Sequence, residues 1–307
     1  GSAMSEIAES CQGFTIHGQY RFQLTRPGTS RDQISVVPML FEPPSPDQPQ
    51  ILDWQTETGV VARLYGGGRI FTFWAEGSGW FRIAPFDGTI EIPDEVPEPL
   101  RREIQLWGVP AMLAFTRRGD LSLHAAAIDV GGAAVLVAAP GRYGKTTLSV
   151  AFHNAGHRLL SEDISRLQMV PEPLVMPGPA VVRMREDTFD GTPPAGMSIA
   201  SQARGRVELM IDRDRRGDAA AVPVRAVVLL RESRGDRIEL ERVATMDAIP
   251  DLWTLAFRLP ESQDRSRAFQ QVAEFADRVS VWNLSRPLTI SGLPEVVKRV
   301  AELCATT

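Results

Sequence analysis

The apolar positions of this chain change their rhythm near residue 95. Up to there they fall in short runs rich in aromatic and β-branched residues: Phe14–Phe22, Ile34–Phe41, Val60–Leu64, Ile70–Trp74 and Trp80–Ile83. Such runs suit a pleated, half-buried surface. Gly66-Gly67-Gly68, Gly77-Ser78-Gly79 and the proline-rich stretch Pro43–Pro49 punctuate them. The pattern predicts a small β-sandwich or meander with a loop over about 43–50. Pro93, Pro97 and Pro99 mark a junction, and Leu100–Phe115 reads as a helix that Pro110 kinks or splits. The expected division is a β-rich N-terminal domain over 4–99 and a second domain over 100–307.

The second region alternates strand and helix patterns. Leu121–Val130 and Ala133–Ala138 are apolar runs separated only by Gly131-Gly132, a strong hairpin signal. A glycine-containing loop follows, then a helical pattern from Thr146 to Ala155 with Gly156 placed as a left-handed cap. Arg158–Leu160, Val207–Ile211, Ala226–Leu230, Ile238–Val243 and Val281–Leu284 read as further strands. Asp251–Arg258, Arg265–Val279 and Pro294–Leu303 read as helices. The second of these carries Ala268, Phe269, Val272, Phe275, Ala276 and Val279 at i, i+3, i+4 spacing. Gly205–Asp218 is dense in both charges and is expected to be a solvated hairpin or loop. The class is α/β (α+β).

Composition narrows the function classes. Gly1-Ser2-Ala3 ahead of Met4 reads as an expression remnant, and no basic-then-apolar leader follows Met4. A net charge of −5 argues against a nucleic-acid or anionic-membrane partner. No apolar stretch approaches the roughly 18–20 residues of a membrane span. Cys11 and Cys304 have no metal-type spacing and fit reduced thiols, so a cytoplasmic location is expected. Nothing sets the oligomeric state, and a homo-oligomer fits as well as a monomer.

Lysine usage points to one place. The chain has two lysines, Lys145 and Lys298, among 33 basic residues. Lys145 lies in Ala139-Pro140-Gly141-Arg142-Tyr143-Gly144-Lys145-Thr146-Thr147, between a strand and a helix pattern. That is the setting of a phosphate-cradling loop, where backbone N–H groups and the helix dipole face an anion. Gly141, Arg142, Tyr143, Gly144, Lys145, Thr146 and Thr147 are the candidate nucleotide-binding residues. Lys145 would reach the β- and γ-phosphates of ATP, and the Thr146 hydroxyl would ligate Mg²⁺. Glu162-Asp163 ends the next strand, with Asp163 only 18 residues beyond Lys145. One carboxylate there can hold Mg²⁺ while the other accepts a proton from an attacking hydroxyl, which is most of what phosphoryl transfer asks of a protein. The bland alternative is that Ser161 or Asp163 caps a turn.

At these residues the chain resembles the HPr kinase/phosphorylase family. Leu123-His124-Ala125, the hairpin, the loop and Gly156-His157-Arg158-Leu159-Leu160-Ser161-Glu162-Asp163 follow that family's order over about 120–168. The resemblance implies a phosphoenolpyruvate-carboxykinase-like P-loop kinase domain with a mixed sheet. It implies that Lys145 and Thr146 are the loop lysine and metal-side hydroxyl. Glu162 would act on a substrate serine hydroxyl, Asp163 would sit at the metal, and His124 would be the active-site histidine. The family's loop begins with Gly where this chain has Ala139, and its first acid is one methylene shorter than Glu162. Relatives of this kind include kinases that phosphorylate ribosomally made peptides such as lasso-peptide precursors.

The implied activity is ATP- and Mg²⁺-dependent transfer to a serine of a peptide or protein. Alternatives are a small-molecule alcohol kinase and a nucleotide-binding regulator without an acceptor. The supporting arginine is open among Arg142, Arg183, Arg185, Arg258 and Arg286. Arg183 and Arg185 alternate with apolar residues; an exposed strand face is the favoured reading over two same-face arginines aimed at phosphate or substrate. His157 beside the helix cap reads as structural. Arg213, Arg215 and Arg216 among acids read as a solvated cluster, and Trp74, Trp80 and Phe81 as core rather than a peptide-binding surface.

Overall fold

The computed structural model describes residues 7–41, 43, 47–140 and 144–305. Residues 44–46 of the proline-rich stretch and the candidate residues Gly141, Arg142 and Tyr143 therefore lie outside the described residues.

The first part forms one nine-stranded sheet. Its strands are β1 (Glu9–Cys11), β2 (Phe14–His17), β3 (Arg26–Pro27), β4 (Asp32–Met39), β5 (Gln50–Thr56), β6 (Gly59–Gly67), β7 (Ile70–Ala75), β8 (Gly79–Ala84) and β9 (Thr89–Pro93). Their order is β3-β1-β2-β4-β9-β8-β7-β6-β5. Strands β5 to β9 run as an antiparallel meander, while β4 lies parallel to both β2 and β9. The apolar run at Phe14–Phe22 stops being a strand at His17. Helices α1 (Pro99–Trp107) and α2 (Val109–Thr116) pack into this sheet: Leu106, Trp107, Ala111, Leu113 and Phe115 share its core with Phe71, Phe81 and Ile90. The expected split occurs at Gly108, and Pro110 sits in the first turn of α2, where a missing N–H costs nothing.

The second sheet is mixed. It contains β10 (Leu121–Leu123), β11 (Ala126–Val130), β12 (Ala133–Ala138), β13 (Arg158–Ser161), β14 (Ser165–Gln168), β15 (Leu174–Met176), β19 (Val222–Leu230), β20 (Glu239–Val243) and β21 (Ser280–Ser285). A separate three-stranded sheet holds β16 (Val181–Arg185), β17 (Met197–Ala203) and β18 (Arg206–Ile211) in the order β16-β18-β17. The helices are α3 (Lys145–Asn154), the short α4 (Arg213–Arg216), α5 (Thr245–Leu255), α6 (Ser262–Arg278) and α7 (Leu293–Ala305). The hairpin forms as read, with Val130 opposite Ala133 and both turn glycines at positive φ. Strand β12 then runs parallel to β19, and β19 parallel to β21.

Both faces of this sheet are covered, which explains the unbroken apolar runs of β12 and β19. Ala134, Leu136 and Ala138 face the side of α5 and α6, with Leu252, Val272 and Phe275. Val135 and Val137 face α3 and α7, with Leu148, Phe152, Val296 and Val300. No helix among the described residues is long and apolar enough to cross a membrane.

Three expectations are corrected. The run Leu121–Val130 breaks at His124-Ala125, because Leu123 bridges to Ala256 and the His124 amide donates to the Leu255 carbonyl (2.8 Å). Helix α5 begins before Pro250 and passes through it; the carbonyl left without a donor belongs to Met246, at an exposed position. Gly205–Asp218 is not a solvated loop: it holds β18, whose Val207, Leu209 and Ile211 are buried, and Arg216 is buried too. Arg216 donates to the carbonyls of Ile211 (2.7 Å), Gln23 (2.7 Å) and Thr25 (3.0 Å).

Candidate functional site

The site is built where β12 ends. Beyond Ala138 the chain reaches Gly144, which adopts a left-handed conformation (φ 67°) and caps α3. The first N–H groups of a helix have no acceptor within it, so the start of α3 presents donors and the positive end of the dipole. Strand β13 pairs antiparallel with β11, the hairpin partner of β12. Residues at the end of β13 are thereby carried to the start of α3.

Those residues are the acidic pair. The Lys145 ammonium donates to the Glu162 carbonyl (2.8 Å) and to Asp163 Oδ1 (3.3 Å). The Thr146 hydroxyl donates to Glu162 Oε1 (2.9 Å). Glu162 Oε2 is buried and has no hydrogen-bond partner among the described residues. The structure thus brings Lys145, Thr146, Glu162 and Asp163 together. It pairs the Thr146 hydroxyl with the first acid, where the expectation paired it with the second.

The two carboxyls sit in different electrostatic settings. Glu162 is only 6 % exposed, and burial lifts its pKa above the ordinary 4.5, helped by the charge of Asp163 and opposed by Lys145, Thr146 and Ser149. The Asp163 side chain is 48 % exposed. Partial desolvation works to raise its pKa, but Lys145, Arg183 and His124 outweigh it and hold the carboxyl below the usual value. His124, exposed at the break between β10 and β11, and Arg183 on β16 therefore both act on this site. Arg183 also pairs with Glu208 (3.5 Å).

The oxygen donors fit a hard cation. Thr146 Oγ1, the unpartnered Glu162 Oε2 and the Asp163 carboxylate offer two carboxylates and a hydroxyl, the set that holds Mg²⁺ when phosphate oxygens and water complete its shell. Among the described residues no group of three or more His, Cys, Asp or Glu gathers for an all-protein metal site.

Other candidates fall elsewhere. Thr147 is exposed on α3, one residue past the cluster. Arg185 is exposed and pairs with Asp187 (3.1 Å). Arg258 stacks on Trp253 at 4.0 Å and donates to the carbonyls of Trp253 and Ala256. His157 packs on Phe152, and Trp74 opposes Trp80 in the first sheet while Phe81 is buried in its core. Ser149 carries more than the sequence indicated, and Arg286 is the candidate arginine that the structure places against Gly144, at the start of α3. Ser149, one turn after Lys145, donates to the Lys145 carbonyl (3.1 Å) and interacts with Glu162; its i+4 spacing was the available signal. Arg286, beyond β21, is buried, and its Nη2 would lie 2.7 Å from a methyl group at Gly144.

No family model and no curated protein matches the chain. Among solved structures, it is similar to the Hpr(Ser) kinase/phosphatase from Coxiella burnetii, with 15% sequence identity and a TM-score of 0.31, over 59% of this chain and 96% of that chain.

Proposed function

We propose that this protein is an ATP- and Mg²⁺-dependent phosphotransferase that moves the γ-phosphoryl group to a serine hydroxyl on a peptide or protein, a ribosomally made precursor peptide being one such substrate. The observation that carries the reading is the cluster at the start of α3. A lysine, a threonine and two acids meet beyond the end of β12, within hydrogen-bond distance of one another. Lys145 neutralises the β- and γ-phosphates, and Thr146 with an acid holds Mg²⁺. Bound there, the metal would neutralise charge on the phosphate oxygens. The other acid orients or deprotonates the acceptor hydroxyl. The exposure of Asp163 and His124 supports an acceptor as large as a chain segment.

Two assignments of the acids follow from different observations. The raised pKa of Glu162 favours it as proton acceptor, with Thr146 and Asp163 at the metal. The Thr146–Glu162 hydrogen bond favours the exchange: Glu162 beside Thr146 at the metal, and the outward Asp163 toward the hydroxyl.

One experiment separates these readings. Label transfer from γ-labelled ATP to serine peptides is measured for wild type, Lys145→Ala, Glu162→Gln and Asp163→Asn, with ATP affinity measured with and without Mg²⁺. All three variants are expected to lose transfer by at least a hundredfold. The acid at the metal is the one whose variant also loses the Mg²⁺ enhancement of ATP affinity. Undiminished transfer in Lys145→Ala and Glu162→Gln would sink the assignment. ATP binding without transfer to any acceptor would leave a nucleotide-binding regulator instead.

A further inference from the structure

Three parallel strands end at one edge of the second sheet. Ala138 of β12 pairs with Leu229 of β19, and Leu230 of β19 pairs with Leu284 of β21. In open sheets of this kind ligands bind beyond the carboxyl ends of the strands. The loop before α3 follows β12, and Arg286 follows β21, two strand spacings or about 10 Å away along the sheet. Its guanidinium nonetheless reaches back to Gly144, where an added methyl would meet Nη2 at 2.7 Å.

The surroundings of this arginine are unusual. It is 7 % exposed. Its Nη1 donates to the Pro287 carbonyl (3.1 Å), and no carboxylate pairs with it among the described residues. Two other deeply buried arginines are saturated, whereas Arg102 keeps a buried Nε without a partner. Arg166 bonds Asp120, Asp32 and the Gln12 carbonyl, and Arg26 bonds four carbonyls. Burial pulls the Arg286 pKa down with no acid beside it to offset the effect. A buried cation without an anion is costly, because nothing repays its lost hydration. Here it faces the start of a helix, where more donors are left without acceptors. Lys145, by contrast, is already tied to Glu162 and Asp163.

We infer that Arg286 is a second cationic contact for the polyphosphate of the bound nucleotide, closing over Gly144 from β21 and opposite the Lys145 side of the anion. The inference rests on the reading of the loop as a nucleotide site. A planar fork of donors suits two phosphate oxygens at once, which a lysine there cannot match. Gly144 is required for the same reason: a side chain at that position would occupy the space the guanidinium needs.

The test is calorimetric titration of ATP, ADP and AMP, each with Mg²⁺, into wild type, Arg286→Gln and Arg286→Lys, with melting temperatures of the unliganded proteins. The expected result is a loss of at least tenfold in ATP and ADP affinity for Arg286→Gln, a smaller loss for Arg286→Lys, and AMP affinity within twofold of wild type. The unliganded melting temperature of Arg286→Gln should be no lower than that of wild type, since an uncompensated charge has been removed. Equal ATP affinity in wild type and Arg286→Gln overturns the inference and leaves the nucleotide site standing. A lower unliganded melting temperature with equal losses for ATP, ADP and AMP also overturns it, and makes Arg286 a structural residue. Absence of ATP binding in wild type overturns both.

Discussion

Glu162 is asked to be buried and charged at once. Thr146 satisfies one of its oxygens and nothing described satisfies the other. Its pKa is raised, so between the ordinary value of 4.5 and the raised one the folded state keeps a proton that the unfolded state has lost. Stability therefore falls as pH rises through that window, by about 1.4 kcal/mol for each pH unit crossed. Glu162→Gln removes the penalty. The unliganded variant should melt above wild type at pH 8, and the gap should close by pH 4. A gap independent of pH would show that Glu162 carries no such strain. The position of this residue was legible from the chain, since a strand of four residues after a capped helix leaves little freedom in where it ends. Its partner was not: whether Thr146 faces the first or the second acid depends on the twist of β13, which no spacing reveals.

The hairpin of β11 and β12 was the most legible element, because turn and strands are local to one another. Gly131 (φ 64°) and Gly132 (φ 95°) both need positive φ, and the Gly132 amide donates to Asp129 Oδ1 (2.8 Å). Nothing lies within 4 Å of a methyl group placed on either glycine. Substitution there tests backbone conformation alone. Gly132→Ala should cost about 1–2 kcal/mol, while Gly131→Asn should be nearly neutral because Asn tolerates the left-handed region. Denaturant midpoints at unchanged slope would measure both, and equal costs would refute the argument. The break at His124 was not legible from the same stretch. The apolar run continues through it, and only the distant Leu255-Ala256 segment interrupts the strand.

At the scale of the molecule, buried arginines join the two sheets. Arg26 on β3 is fully buried and donates to the carbonyls of Gly178 (2.9 Å), Arg216 (2.6 Å), Leu159 (2.9 Å) and Leu160 (3.1 Å). Burial draws its pKa down to about 9, assisted by Arg158 and Arg216, so it stays protonated at neutral pH. Arg166 on β14 does the reverse, reaching Asp32 and the Gln12 carbonyl of the first sheet and packing on Phe14 and Phe115. Arg26→Met leaves buried carbonyls without donors and should cost more than about 3 kcal/mol. Because Leu159 and Leu160 lie just before Glu162, the variant should also weaken ATP binding; a stability loss with unchanged affinity would argue against that coupling. None of this was readable along the chain. An arginine in a polar-looking segment declares nothing about carbonyls more than a hundred positions away.

The Arg26 contacts also bear on how copies of the molecule can meet. Strand β13 ends the order of the second sheet, and a terminal strand normally offers open backbone groups to any passing chain. Here the Leu159 and Leu160 carbonyls are already taken by a guanidinium, and Leu160 also accepts from the Gly178 amide (2.7 Å). That margin is closed to strand addition. Strand β5 has a single neighbour among the described residues and exposed positions along its length. Self-association by sheet extension at β5 would add to the first sheet, which contains neither Glu162 nor Asp163.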